Sequence, residues 1–94
     1  MPVSSIRGKS LKAMAYDIAD GYVAANPLFL KPLDIDSLTG LYHEIMQVQI
    51  AIRGEKVDLS DQPSLRTRNV RLQRLYSSLM IIKNFARERR IVMV

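Results

Sequence analysis

The sequence predicts an all-α fold: one helical domain over residues 1–94, built as a three-helix bundle with a long C-terminal helix and a short apolar C-terminal tail. Three observations carry this prediction. Apolar residues recur at alternating spacings of three and four, the signature of one helix face. The rhythm breaks only where Pro and Gly punctuate it, around "NPLFLKPLD" and "GEKVDLSDQP". The last periodic segment carries apolar residues on two flanks, and a three-helix bundle requires two such flanks of at least one member.

The first helix is expected over about residues 10–25. Leu11, Ala15, Ile18, Tyr22 and Ala25 form its stripe, with Met14 alongside. Ser10 or Ser5 is suited to cap its start, and Pro27 stops it by disfavouring helical geometry at Asn26. "PLFLKPLD" (27–34) reads as a connector too apolar to stand in water, so Leu28, Phe29 and Leu30 are expected to lie across the helix ends. The second helix is expected over about 36–53, capped by Asp36 or Asp34. Its stripe is Leu38, Leu41, Ile45, Val48 and Ile52, and it ends with Arg53 followed by Gly54. "EKVDLSDQ" (55–62) is turn-rich, and Pro63 belongs in the first turn of a third helix running to about residue 89. Leu65, Leu72, Leu75, Leu79, Ile82 and Ala86 make its stripe, Tyr76 widens it, and Ile81 and Phe85 lie round the other flank. At about 1.5 Å per residue it outreaches its neighbours, and the overhang should be the apolar-poor "SLRTRNVR" (64–71), provided no break falls near Asn69.

Composition removes several functions. The chain has no cysteine, so disulfides, thiolate metal sites, iron–sulfur clusters and thiol nucleophiles are all excluded. The longest apolar runs, such as "LMII" at 79–82, are far short of the roughly 20 residues of a membrane span or the roughly 7 to 15 of a signal-peptide core. A cytoplasmic protein is expected. The net charge of +5 is unevenly placed: residues 1–61 carry six Lys/Arg against eight Asp/Glu, and residues 62–94 carry eight against Glu88 alone. The basic end is mostly arginine, which suits planar contact with phosphate or carboxylate.

Individual motifs yield no catalytic or metal site. "GKS" (8–10) lacks the earlier glycine of a phosphate loop, since residue 3 is valine, and no strand has room to precede it. "DIDSLTGLYHEI" (34–45) places Leu38 where a calcium loop needs a ligand, and its glycine and glutamate are out of step. His43, the single histidine, falls on the outer face of the second helix. Asp17 and Asp20 share a face but no expected cleft. "LYHEIMQVQIAIRGE" and "IIKNFARER" resemble parts of the two-helix protein near the exit of the large ribosomal subunit. The double-basic step of that family's second helix is "YSS" here, and the first helix has no counterpart, so the resemblance does not extend to family membership.

Two features remain. On the third helix Arg71, Arg74, Ser78, Phe85 and Arg89 fall along one side, a mixture that in RNA-binding helices meets phosphates and bases. Arginine stems covering a bundle, and Lys83, Arg87 and Arg89 complementing the helix dipole, give the same pattern without a ligand. The tail Ile91, Val92, Met93, Val94 is poor helix material, so it either folds back beside Phe85 or pairs with another chain. The sequence therefore predicts no enzyme, no cofactor and no metal. It predicts a helical interaction module, an adaptor or subunit of a larger assembly, that docks a protein partner or a second copy. The docking residues are Ile81, Phe85, Ile91, Val92, Met93 and Val94, with Leu28–Leu30 contributing. The alternative is a nucleic-acid-binding protein, RNA more than DNA, gripping phosphate through Arg66, Arg68, Arg71 and Arg74. Membrane attachment and a small-molecule substrate are not expected.

Overall fold

The structure, a computed structural model, describes the backbone of residues 5 and 6 and residues 8–93 in full. Ser5–Ile6 (β1) pairs antiparallel with Lys9–Ser10 (β2) across a turn in which Gly8 takes φ +79°. Apart from this minimal hairpin the regular structure of the described residues is helical, with helices packed against one another. Ser10 ends β2 and caps α1 (Leu11–Ala19), its hydroxyl accepting the Ala13 N–H at 3.1 Å.

α1 ends well before residue 25. Gly21 turns left-handed at φ +84°, the Gly21 N–H donates to Ile18 O at 3.2 Å, and the Tyr22 N–H donates to Asp17 O at 2.9 Å. These paired bonds form a Schellman motif, which satisfies the last carbonyls and redirects the chain. Tyr22 is thereby thrown off the core and stands 80% exposed, while Ala25 returns to it. The expected connector contains a one-turn helix, α2 (Pro27–Leu30), opened by Asn26 accepting the Phe29 N–H at 2.9 Å. Phe29 and Leu30 are buried and Leu28 points outward, so two of the three residues expected to cover the core do so.

α3 (Ile35–Arg53) is capped by Asp34, which accepts the Ser37 N–H at 2.7 Å, and Gly54 closes it. Its five stripe residues, Leu38, Leu41, Ile45, Val48 and Ile52, are all buried. α4 (Gln62–Glu88) starts on Asp61, accepting the Ser64 N–H at 3.3 Å, with Pro63 in its first turn. It runs unbroken through Asn69. α1, α3 and α4 pack against one another, with α2 against α4. The core joins Met14, Ile18, Leu30, Leu41, Ile45, Ile52, Leu75 and Ile82.

With 27 residues against 19, α4 is about 40 Å long and α3 about 28 Å. The excess lies at the N-terminal end of α4, where the first buried residue is Leu75. The molecule is correspondingly elongated, 45 × 25 × 23 Å. At the other end α4 closes with a second Schellman motif. Arg90 adopts φ +57°, its N–H donates to Arg87 O at 3.1 Å, and the Ile91 N–H donates to Ala86 O at 2.8 Å. That reversal folds the tail back, with Ile91 and Met93 half-buried on the core and Val92 projecting outward. Among the described residues, no helix is long and apolar enough to cross a membrane.

Candidate interaction surface

The arginines of α4 divide by what they touch. Arg74 reaches across to α1, where its Nη1 donates to Ala19 O at 3.1 Å, capping the helix end that Gly21 exposes. Arg71 sets its Nε 3.0 Å from Asp20 Oδ1 and its Nη1 3.7 Å from Glu55 Oε1. The Nε contact is an ion pair of charges rather than an aligned hydrogen bond. Ser78 and Phe85, expected on the same side, are buried. That side of α4 is thus its packing face, and Arg71 and Arg74 continue it beyond the apolar core. Arg89 lies over the Phe85 ring at 4.4 Å from its centroid, a cation–π contact that covers the one aromatic on this face. Arg66 is exposed, and Arg68 is half-buried with its Nε lacking a hydrogen-bond partner.

The residues expected to dock a partner do not share one surface. Phe85 is only 7% exposed and belongs to the core. Ile81 lines a cleft of about 440 Å³ between α4 and the loop after α1, together with Val23, Ala25, Val70, Arg74 and Ser77. Ile91, Val92 and Met93 line a different groove, and Val94 lies outside the described residues. This second groove holds about 600 Å³ between Tyr42 on α3, Met80 and Asn84 on α4, and the returning tail. Met80 (43% exposed) and Val92 (81%) stand open to it, and Ile91 and Met93 are partly covered. Among the described residues its charged lining consists of Lys83, Arg87 and Arg90, all exposed, with no Asp or Glu. Arg87 is steadied by a 2.9 Å hydrogen bond from its Nη2 to Asn84 Oδ1.

An apolar floor under three cations favours a ligand with greasy and acidic groups together. The sequence pointed to the tail and to the basic residues near it. It gave no sign of Tyr42 and Met80, because the groove exists only when the chain reverses at Arg90. Such reversals are usually signalled by glycine.

Other candidate groups have structural partners. Asp17 pairs with Lys9 at 2.5 Å and Asp20 with Arg71, so the two carboxylates do not face a common site. His43 is exposed and meets the Tyr42 ring edge-on at 6.1 Å. Among the described residues no three His, Cys, Asp or Glu side chains gather as metal ligands. The chain matches no protein-family model, and neither the curated proteins nor the solved structures provide a match.

Proposed function

We propose that this chain is a non-catalytic, cytoplasmic helical interaction module, an adaptor or subunit of a larger assembly, whose docking site is the groove between the returning tail and the end of α4. The observation that carries the proposal is the pairing of exposed Met80 and Val92 with Lys83, Arg87 and Arg90, without an Asp or Glu among the described lining residues. A protein segment combining aliphatic side chains with Asp or Glu would bury the first set and pair with the second. Charges at such a rim steer encounter and exclude basic competitors more than they add affinity.

The test is fluorescence anisotropy with a labelled acidic amphipathic peptide of Leu and Asp, and a control carrying Lys for Asp. The acidic peptide should bind and the basic one should not. Arg87→Glu with Lys83→Glu should weaken binding at least about tenfold, the equivalent of 1.4 kcal/mol. Equal binding of both peptides, or indifference to the double substitution, would remove the groove from the account.

Nucleic-acid binding has one observation in its favour, the exposure of Arg66 on the overhanging turns of α4, with Arg68 half-buried two residues further along. Arg71 and Arg74 are already engaged with α1. Labelled RNA and DNA belong in the same assay across a salt series. Binding that falls steeply with salt and is lost in an Arg66→Ala/Arg68→Ala variant would favour this second reading.

A further inference from the structure

The loop between α3 and α4 carries a feature complementary to the groove. Leu59 stands 77% exposed in "DLSD" (58–61), with Asp58 and Asp61 on either side of it in the chain. The loop tip is held in a fixed shape. The Asp61 N–H donates to Asp58 O at 2.9 Å, closing a β-turn. Asp58 Oδ1 accepts both the Ser60 N–H at 2.9 Å and the Ser60 hydroxyl at 2.7 Å. Leu59 is therefore presented by a turn whose backbone is already hydrogen-bonded, which lowers the ordering cost of inserting it elsewhere.

Within one molecule this tip never meets the groove. Leu59 precedes the start of α4 at Gln62, whereas the groove begins at Met80, 18 residues and about 27 Å further along the helix. An apolar side chain flanked by carboxylates precedes one end of α4, and an apolar floor rimmed by cations lies at the other end.

We propose that the groove takes the Asp58–Asp61 turn of a second copy of this chain. Leu59 enters between Met80 and Val92, while Asp58 and Asp61 face Lys83, Arg87 and Arg90. This assigns the occupant of the docking site proposed above and rests on that reading. A four-residue tip buries little area, so the contact belongs to the weak class of interfaces and responds to salt.

The test is sedimentation velocity on the full chain from micromolar to millimolar concentration, with two variants at exposed positions. Leu59→Asn removes the knob and leaves the groove. Lys83→Glu/Arg87→Glu removes the groove charge and leaves the knob. The unaltered chain should associate as concentration rises and dissociate with added salt, and each variant alone should associate at least about tenfold more weakly. An equimolar mixture of the two variants should recover association, because one intact knob then meets one intact groove. Circular dichroism of each variant establishes that it is folded. A chain monomeric throughout, a mixture no better than its components, or association unaffected in either variant overturns the proposal. If the chain stays monomeric while the acidic peptide still binds, the groove remains a docking site and only its occupant is wrong.

Discussion

Arg90 and Gly21 occupy the same conformation at the ends of two helices, and only one of them suits it. A left-handed φ costs a residue bearing Cβ about 1 kcal/mol, and glycine escapes that cost. Arg90 accepts it at φ +57° because the reversal seats Ile91 against the core. Arg90→Gly should accordingly stabilise the fold by about 1 kcal/mol in urea denaturation, less whatever the glycine gains in unfolded-state freedom. Gly21→Ala should destabilise by about 1 kcal/mol or more. There a Cβ would also stand 2.9 Å from the Arg74 guanidinium carbon and disturb the cap on Ala19. Both results come from equilibrium unfolding curves. A destabilised Arg90→Gly would mean that the Arg90 side chain contributes something its backbone does not reveal.

At the scale of the element, α3 and α4 show why some of the structure is readable from sequence and some is not. The α3 stripe from Leu38 to Ile52 is buried as its spacing predicts, because a 19-residue helix lying between two neighbours leaves the periodic pattern undisturbed. On α4 the spacing also locates the polar overhang, but it leaves the Arg71–Arg74–Phe85 side open between a ligand face and arginine stems lying over the bundle, and the contacts of Arg71 and Arg74 with α1 decide for the second. A charged residue on a packing face looks the same in sequence whether it meets water or a neighbouring helix end, and only the position of α1 decides. The early end of α1 was hidden for a related reason: Tyr22 keeps the three-four rhythm although Gly21 has already turned the chain. Arg74→Met keeps the aliphatic stem and removes the bond to Ala19 O. It should cost about 1 kcal/mol of stability, measured by urea melts, and leave peptide binding at the tail groove unchanged. The caps add a pH dependence. The Ser37 backbone N–H, and then its hydroxyl, hold the Asp34 carboxyl below its usual range; the Ser60 hydroxyl and then its N–H do so for Asp58. A depressed folded-state pKa contributes stability that is present above the usual aspartate range and lost as pH falls through the depressed value. Asp34→Asn should therefore lag the unaltered chain most near neutral pH, and the gap should narrow on acidification. A gap constant with pH would show that Asp34 acts without its charge.

The whole molecule is elongated, 45 Å along its longest axis, and its two ends differ. One end carries the α4 overhang and the acidic Leu59 turn; the other carries the returning tail and its cations. Charge asymmetry was legible in the sequence, with eight of fourteen basic residues after position 61. Which of those cations would stand free was not, since it depends on α1 engaging Arg71 and Arg74 and on the tail leaving Lys83, Arg87 and Arg90 round an open floor. The central claim is that this groove, and no other basic surface, receives an acidic apolar segment. Backbone amide shifts of the ¹⁵N-labelled chain, titrated with the acidic Leu/Asp peptide, test it most directly. The shifts should cluster at Tyr42, Met80, Lys83, Asn84, Arg87 and residues 90–93. Shifts confined to Arg66, Arg68 and their neighbours, or no shifts at saturating peptide, would contradict it.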